Sequence, residues 1–559
     1  MKVTILNREV RVECNGLDFL KLKSKIYKII GAKLRTEKSF LIFPEICLLA
    51  LRDELPDELF LVDEIARIMR RYDDHAKSRM SAINVVENGL IQGVPNDWLH
   101  QLDPAQAVAV TAMTLPGLFG LCLFDEQGIG KTVMTICAFD ILKLQKSIDA
   151  MIVACPKTMS GEWKNDIERF LPGKYKVLVA EGDQHQRYDT ALSAFDVLVT
   201  NYEGVEHMRI ALSAKASRTP FLLVVDESYY LKNPESIRSE TVLQLRYNCK
   251  KCYVLCGTPA PNSAYDLINQ FDLADNGYTF GCFTKSKDTE RDTARIEELV
   301  ETRGTFIRRL KSEVFQDIPE KNFHIIRIPM VGRQALMYEK ARSDLQLELR
   351  RLDNSTFKKS LATYFQKRSA LLQICATPSS LDPTMTEPSV KMEYLDKLLS
   401  TLTQKERKVI LWSYYKSSID ELVARYSKYH PLRIDGSIDT KTRRESVRLF
   451  QEDPSKLVFI GNPAAAGAGI TLHASYDAVY VSYSNQAAHY LQSLDRIHRR
   501  GQKAKEVNYY LLVCNGTIEE TEVLRLRQKE LRQHSLLGDH IVWPASLDDA
   551  LKELSHVTV

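Results

Sequence analysis

The sequence lacks a strong charge of either sign, and it lacks low-complexity tracts and short repeats. Its 559 residues include 76 basic and 72 acidic side chains, which leaves a formal net charge of +4. A passive nucleic-acid binder is usually far more basic, so any contact with nucleic acid must be confined to a local basic groove. Hydrophobic residues make up 44% and charged residues 26%, the balance of ordinary globular domains.

The sequence also lacks a cysteine framework. The 11 cysteines are odd in number and scattered, which is typical of reduced, buried thiols in a cytosolic compartment. Cys249 and Cys252 have the spacing of half a zinc site, but no second pair follows at a suitable spacing. Residues 253–255 beside them resemble a core strand, so we predict that these cysteines hold no metal.

No segment is expected to cross a membrane. The uncharged run at residues 104–124 is long enough, but proline and glycine divide it into a helix, a turn and a strand. The N-terminus carries no signal-peptide pattern, so the sequence favours a cytoplasmic protein.

Two blocks of apolar runs alternating with helical stretches dominate the chain, one at residues 96–275 and one at residues 408–481. The first block has five runs that predict strands, at 121–124, 150–154, 197–200, 221–225 and 253–255, and the second has four, at 408–412, 431–434, 456–460 and 478–481. Runs that are apolar throughout and joined by helices predict parallel sheets covered on both faces. We therefore expect an α/β protein with two parallel-sheet lobes. The expected domains are a small α+β module at 1–90, a first lobe at 91–310, a crossover and helical linker at 311–390, a second lobe at 391–535 and a tail at 536–559.

The first 90 residues predict a hairpin, a basic helix near 17–30, a short strand and a long helix near 63–88. The basic helix carries Lys21, Lys23, Lys25 and Lys28. The lysine-bearing side of this helix is either an auxiliary DNA-binding surface or an ordinary helix face exposed to solvent.

A glycine-rich loop provides the strongest local motif. A buried strand runs through Asp125 into a turn and then into a helix, an arrangement in which backbone N–H groups surround a phosphate. Lys131 would reach the β- and γ-phosphates, and the Thr132 hydroxyl would bind Mg²⁺. Asp125 occupies the position of the first glycine in the common Walker spacing. The predicted ATP-binding residues of this loop are Gly128, Ile129, Gly130, Lys131 and Thr132.

A second motif ends an apolar run with two carboxylates, Asp226 and Glu227. A parallel strand that finishes this way places both acids at its carboxyl edge, beside the glycine-rich loop. Asp226 would hold Mg²⁺, and Glu227 would orient and deprotonate the attacking water. A solvated strand end is the alternative, and the loop's presence upstream argues against it.

Near the C-terminus, Gln492 precedes Arg496 and Arg499, which a helix would place on one face. Planar guanidinium groups stabilise the charge that spreads over the γ-phosphoryl oxygens during hydrolysis. We expect both arginines to be catalytic, although an isolated pair of arginines would favour a basic helix end.

With these motifs in this order, the chain resembles the Swi/Snf family of DNA-translocating ATPases in helicase superfamily two, over about residues 96–535. Gln106 stands where the family places its adenine-reading glutamine, although Ala105 replaces the usual tyrosine. Residues 464–472 resemble motif V, which adds Gly467 and Gly469 to the ATP site. Residues 492–502 resemble motif VI, which implies that Gln492 is catalytic together with the two arginines. The resemblance implies that the residues contacting DNA are Lys157, Thr158, Thr200, Thr258, Ser413 and Gly436.

The chain also departs from the family. Tyr229 stands in place of a histidine, Ala464 in place of an arginine, and residues 484–486 in place of Trp-Asn-Pro. These departures concern coupling and strand contacts rather than ATP hydrolysis. The amino-acid sequence of motif V resembles that of compact prokaryotic, phage or annealing-helicase-like members of the family. Residues 1–90 weakly resemble the small domain that precedes the motor in annealing helicases.

The resemblance implies two RecA-like lobes in tandem, with a helical insertion between them, which hydrolyse ATP with Mg²⁺ when they close. It implies a motor that translocates along double-stranded DNA and remodels DNA or protein–DNA complexes. A strand-separating or strand-annealing DNA helicase, an RNA helicase and a non-catalytic module are the alternatives. We expect a monomer without membrane association, bound to DNA in the cytoplasm of a prokaryotic or phage-infected cell, or in the nucleus of a eukaryote.

Overall fold

The computed structural model describes residues 2–6, 8–52, 55, 62–260, 263–281, 283–315, 317–465, 470–483, 487–499, 501–531 and 546–555. The chain divides into two compact units, Met1–Leu310 and Lys311–Val559. The first unit holds a small antiparallel sheet and a seven-stranded parallel sheet, and the second holds a six-stranded parallel sheet. The predicted fold class is confirmed.

The N-terminal sheet has the order β1-β2-β4-β3, and all its neighbours are antiparallel. The predicted hairpin forms around Arg8, whose φ of 63° lies in the left-handed region. The predicted helix is present as Gly16–Ile30, and it buries Leu22, Ile26 and Ile30 against the sheet's core. The strands are β1 Lys2–Leu6, β2 Glu9–Glu13, β3 Arg35–Glu37 and β4 Phe40–Pro44.

The long helix Asp63–Glu87 joins this module to the rest of the first unit. The His75 ring stacks on Phe119 with centroids 4.7 Å apart, and its Nδ1 accepts a 3.1 Å hydrogen bond from the Phe119 N–H. Tyr72 donates to the Asn276 carbonyl at 3.1 Å, and Arg79 donates to the Gly304 carbonyl at 2.8 Å. The helix is therefore part of the same compact unit as the sheet that follows it.

The seven-stranded sheet has the order β11-β5-β10-β9-β6-β8-β7. All six residues of β6 and all six of β9 are buried, as a sheet covered on both faces requires. The five predicted strands are present. The short edge strands β7 and β11 were not predicted, because their short sequences give no clear pattern. The strands are β5 Gly120–Leu123, β6 Ala150–Cys155, β7 Val177–Val179, β8 Val197–Asn201, β9 Phe221–Asp226, β10 Lys251–Leu255 and β11 Phe306–Ile307.

Helices surround this sheet. The run at residues 104–124 forms a helix, a turn and a strand as predicted, and none of the helices in the described part of the chain is long and apolar enough to cross a membrane. The helices are Asn96–Leu99, Pro104–Thr114, Lys131–Leu144, Ser160–Phe170, Gln184–Leu192, Tyr202–Ala216, Ile237–Arg246, Ile268–Asp275 and Thr289–Arg303.

The second unit's sheet has the order β12-β17-β16-β13-β15-β14, and every pair is parallel. Four of its strands were predicted, whereas β12 and β17 were not. Residues 320–329, which the sequence assigned to the crossover, instead form the edge strand β12, which pairs with β17 over ten residues. The strands are β12 Glu320–Pro329, β13 Val409–Trp412, β14 Leu432–Ile434, β15 Val458–Gly461, β16 Asp477–Tyr480 and β17 Glu506–Asn515.

Buried ion pairs connect the helices of this unit. Lys391 and Glu519 pair at 2.7 Å with almost no exposure, and Arg368 pairs with Glu522 at 2.9 Å and with Glu553 at 2.6 Å. These contacts attach the last two described helices, Ile518–Leu531 and Leu547–Leu554, to the rest of the unit. The helices are Lys311–Val314, Gly332–Leu349, Asn354–Lys359, Leu361–Ala376, Val390–Gln404, Lys416–Arg425, Thr440–Glu452, Ala487–Leu494, Ile518–Leu531 and Leu547–Leu554.

Candidate active site

The glycine-rich loop connects β5 to the helix Lys131–Leu144. Gly128 and Gly130 have φ values of 93° and 102°, which side chains with a Cβ rarely adopt. A Cβ at Gly130 would also lie 2.4 Å from the Gln106 Nε2 atom. The loop therefore directs the N-terminus of a 14-residue helix, with its free N–H groups, towards the carboxyl edge of the sheet.

Lys131 and Thr132 begin that helix, as the motif predicts. The Lys131 Nζ atom donates to the Asp125 carbonyl at 2.7 Å and to the Glu126 carbonyl at 3.3 Å. Its charge therefore lies over the loop, where a phosphate would be bound. Thr132 lies in the first turn of the helix and is half-buried.

Gln106 holds the loop in place through a hydrogen bond from its side chain. Its Nε2 atom donates to the Ile129 carbonyl at 2.7 Å, and its Oε1 atom accepts from the Asp103 N–H at 3.0 Å. The second bond belongs to a capping box that starts the helix Pro104–Thr114. Gln106 is buried, and these two bonds fix its position against the loop. Its role in reading adenine stays a prediction.

Asp125 has a structural partner that explains why it stands in a glycine position. Its fully buried carboxylate receives two hydrogen bonds from the Arg309 guanidinium, one from Nε at 3.0 Å and a shorter one from Nη2. Arg309 also donates to the Ala105 carbonyl. The pair ties the loop's first residue to the last residues of the first unit.

The two carboxylates lie at the carboxyl end of β9, beside the loop. The Asp226 Oδ2 atom accepts a 2.8 Å hydrogen bond from the Trp163 indole, and Oδ1 accepts from the Glu227 N–H at 2.9 Å. Burial raises the pKa of Asp226, while the Trp163 hydrogen bond and the positive charge of Lys131 oppose that rise. Each carboxylate oxygen retains a lone pair for a Mg²⁺-bound water.

Glu227 links this strand to the loop. Its backbone has φ 52° and ψ 52°, a left-handed conformation that is uncommon outside glycine, and its side chain is buried. The Oε1 atom accepts a 2.7 Å hydrogen bond from the Gln127 Nε2 atom of the loop. The structure thus brings together the two motifs that the sequence placed at one edge of the sheet.

The residues expected to contact DNA in the first unit differ in exposure. Lys157 and Thr158 are exposed in the turn that follows β6. Thr200 is fully buried, and its hydroxyl donates to the Asn201 carbonyl at 3.3 Å. Thr258 is 8% exposed, and its hydroxyl has no hydrogen-bond partner among the described residues. Of these four residues, Lys157 and Thr158 alone are exposed, and their contact with DNA stays a prediction.

In the second unit, Arg496 and Arg499 do not lie on the predicted helix, which ends at Leu494. The chain turns after this residue, and both arginines donate hydrogen bonds to neighbouring residues within motif V. The Arg496 Nη1 atom donates to the Ile470 carbonyl at 2.9 Å, and the Arg499 Nη1 atom donates to the Thr471 hydroxyl at 2.8 Å. The helix prediction was wrong here, yet the two guanidinium groups do converge.

The remaining predicted residues are placed as follows. Gln492 is buried on the helix Ala487–Leu494. Ser413 is buried, with its hydroxyl 2.9 Å from the Ser482 hydroxyl, and Gly436 is exposed after β14. Gly467 and Gly469 lie outside the described residues.

Four contacting residues were not predicted from the sequence: Gln127, Trp163, Arg309 and Tyr202. Tyr202 donates through its hydroxyl to the Asp226 carbonyl. A polar residue inside a phosphate loop is a usable signal for Gln127. Trp163, Arg309 and Tyr202 come from distant segments, and only the fold brings them to the site.

Known families and proteins match this chain over most of its length. The SNF2-related domain matches residues 96–380, and the helicase conserved C-terminal domain matches residues 390–501. The chain is 27% identical over 479 residues to the yeast ISWI chromatin-remodeling complex ATPase ISW1, covering 79% of this chain and 40% of that protein. A probable chromatin-remodeling complex ATPase chain of Oryza sativa subsp. japonica is 30% identical over 444 residues, covering 74% and 38%.

A prokaryotic relative and a solved structure are also similar. The uncharacterized ATP-dependent helicase MG018 of Mycoplasma genitalium is 26% identical over 436 residues, covering 75% of this chain and 40% of the helicase. The SWI2/SNF2 ATPase core of Sulfolobus solfataricus, solved with double-stranded DNA, is 21% identical with a TM-score of 0.37, covering 81% of this chain and 94% of that one. The matched region spans about two fifths of the curated relatives' length. Because both family models match, the chain belongs to the SNF2-related family and is an ATP-hydrolysing enzyme of the helicase superfamily.

Proposed function

We propose that this ATPase is a motor that translocates along double-stranded DNA and remodels DNA or protein–DNA complexes. The observation that carries the proposal is the hydrogen bond between Gln127 and Glu227. This bond joins the phosphate-binding loop to the carboxylate pair. The loop and the pair together provide the groups that hydrolysis of a nucleoside triphosphate requires: one binds the phosphates, and the other binds Mg²⁺ and activates water. Membership of the SNF2-related family supports ATP as the substrate and nucleic acid as the track.

The residues of the first unit divide the work of hydrolysis. The helix N-terminus and Lys131 bind the phosphates through N–H groups and positive charge. Thr132 and Asp226 would hold Mg²⁺, which neutralises charge on the phosphate oxygens when it is bound. Glu227 orients and deprotonates the attacking water. Trp163 and Tyr202 position Asp226 through its carboxylate and its carbonyl.

The second unit supplies Gln492, Arg496 and Arg499 in this proposal, together with Gly467 and Gly469 of motif V. ATP is hydrolysed only when the two units close, because the guanidinium groups then stabilise the charge on the γ-phosphate. As the two units alternate between open and closed states, the contacts that each unit makes with the DNA backbone change.

The grip on DNA acts on phosphates rather than on base pairs. Exposed Lys157 and Thr158 supply a positive charge and a hydroxyl at the sheet edge. In the second unit, exposed Gly436 has no side chain, so a DNA phosphate can come close to the protein backbone there. Thr200, Thr258 and Ser413 are buried, so they support the surface from below. Phosphate contacts carry no sequence information, so movement is independent of sequence and sensitive to salt.

The track is tested by measuring ATP turnover without nucleic acid and with duplex DNA, single-stranded DNA and RNA. Duplex DNA is expected to stimulate turnover by at least tenfold, and RNA by much less. Stimulation by RNA alone would identify an RNA helicase. The absence of turnover under all conditions would contradict the site itself.

A further inference from the structure

A cavity of about 420 Å³ opens at the carboxyl edge of the first unit's parallel sheet. Tyr202, which follows β8, and Tyr230, which follows β9 through the turn after Glu227, form two of its walls. Arg238, near the start of the helix Ile237–Arg246, forms a third. None of the functions assigned above uses this cavity.

The walls of the cavity are planar groups. Tyr230 is 41% exposed, and it stacks on the buried ring of Tyr229 with centroids 4.4 Å apart and planes inclined by 29°. The Arg238 guanidinium carbon lies 6.0 Å from the Tyr230 centroid and 5.9 Å from the Tyr202 centroid. A flat ring between two such groups needs about 7 Å, twice a van der Waals contact. A small movement of the Arg238 side chain, which is 37% exposed, provides this space.

The charges around the cavity balance. Glu203 pairs with Arg238 at 2.5 Å, while Glu206 and Lys232 add one charge of each sign. A balanced lining favours an uncharged ligand over an anion or a cation. The ends of these side chains and the Asn233 amide offer donors and acceptors around the planar walls.

A flat, uncharged group whose edge carries both donors and acceptors is a nucleobase, and proteins hold unpaired bases between aromatic rings and guanidinium planes. We propose that the cavity binds one unpaired nucleobase of the DNA on which the motor acts, stacked between Tyr230 and Arg238. The inference rests on the proposed function, because it takes DNA to be the track.

The cavity is connected to the hydrolytic residues through its walls. The Tyr202 hydroxyl donates to the Asp226 carbonyl, and the Tyr230 N–H donates to the Glu227 carbonyl at 3.2 Å. The walls that contact a base in the cavity are therefore hydrogen-bonded to the backbone of both carboxylate residues, one of which is in a left-handed conformation. Unpaired bases enter most easily because no stacking or pairing has to be broken. The site thus distinguishes distorted or unpaired DNA from a regular duplex.

The test compares a duplex that carries a single-base bulge, the same duplex with an abasic bulge and the perfect duplex, using fluorescence anisotropy. The wild type is expected to bind the bulged base about tenfold more tightly than either control duplex, which corresponds to about 1.4 kcal/mol. Tyr230→Ala should lose this preference, and Tyr230→Phe, which keeps the ring, should retain it. Tyr188→Ala is the matched control, since Tyr188 is 38% exposed on the helix Gln184–Leu192, outside the cavity.

Equal affinity of the wild type for the three duplexes would overturn the inference and leave the proposed function standing. A preference that survives in Tyr230→Ala would do the same. A lysine-rich peptide that binds the wild type, but not Tyr230→Ala, with no effect of that variant on DNA would identify a peptide cavity instead. Failure to bind any DNA would remove the proposed function and this inference together.

Discussion

Gln127 of the phosphate-binding loop donates a 2.7 Å hydrogen bond to Glu227 at the end of β9. The loop follows β5, and β10 lies between β5 and β9 in the sheet, so this contact spans the intervening strand. A Cβ at Gly257, after β10, would lie 2.6 Å from the Gln127 side chain. The three strand ends therefore meet at Gln127, which makes it a positioning residue for Glu227.

We expect Gln127→Ala to lower the rate of ATP turnover by about tenfold to a hundredfold while leaving ATP affinity within about threefold. The reason is that a hydrogen bond to a charged group contributes about 1.5–3 kcal/mol, and 1.4 kcal/mol corresponds to tenfold in rate. Steady-state kinetics measures both effects. Gln145→Ala, at an exposed glutamine after the next helix, is the control and should have no effect. Unchanged turnover in Gln127→Ala would show that Glu227 needs no such support.

Asp125→Gly recreates the usual first glycine of the loop, and we expect it to destabilise the protein rather than improve it. Without the carboxylate, the largely buried Arg309 guanidinium loses its partner, at a cost of about 3–5 kcal/mol. Urea denaturation measures this change. Adding Arg309→Met to Asp125→Gly should restore part of the loss because it removes the unpaired charge. A single variant as stable as the wild type would contradict the structural role of this pair.

His75 makes the first unit's stability depend on pH. Burial, with the nearby charges of Arg246, Lys251 and Arg79, lowers its pKa from 6.5 to about 3. The unfolded chain binds a proton below pH 6.5 and the folded chain does not, so stability falls as the pH falls through 6.5. At pH 5 the loss is about 2 kcal/mol.

The variant His75→Gln isolates this effect, because glutamine keeps an acceptor for the Phe119 N–H but does not titrate. We expect it to be less stable than the wild type at pH 7.5 and the difference to shrink by about 2 kcal/mol at pH 5. Buried Asp272 and Asp275, whose pKa values are raised to about 7, are present in both proteins and cancel in the comparison. A difference that does not vary with pH would mean that His75 titrates normally.

The catalytic arginines are tested most cleanly at Arg499. Arg496 is buried against the Ile470 carbonyl, so its removal also affects stability, whereas Arg499 is only half-buried. Arg499→Ala should keep ATP and DNA binding but lose DNA-stimulated turnover by on the order of a thousandfold. Arg496→Lys keeps the charge and should lose turnover as well, because an ammonium lacks the planar fork. Full stimulation in Arg499→Ala would remove this residue from the mechanism.

The sequence predicts most of the buried strands because their apolar runs are local signals, although it missed the largely buried β17. Strand β12 was missed because its residues are mostly half-exposed at a sheet edge, and its partner β17 lies far along the chain, as the 2.9 Å bond from Asn322 to Glu506 illustrates. The end of the helix at Leu494 was missed because no glycine or proline precedes the arginines. The loop and the carboxylates were predictable from motif spacing, whereas the Asp125–Arg309 pair requires the fold.

Translocation along duplex DNA is the central claim, and displacement of a third strand from a DNA triplex measures it most directly. We predict that the wild type displaces the third strand with ATP and leaves the underlying duplex intact. Glu227→Gln should bind ATP and DNA but displace nothing, because the amide cannot deprotonate water. Separation of the duplex by the wild type would favour the strand-separating helicase, and no displacement despite DNA-stimulated hydrolysis would contradict translocation.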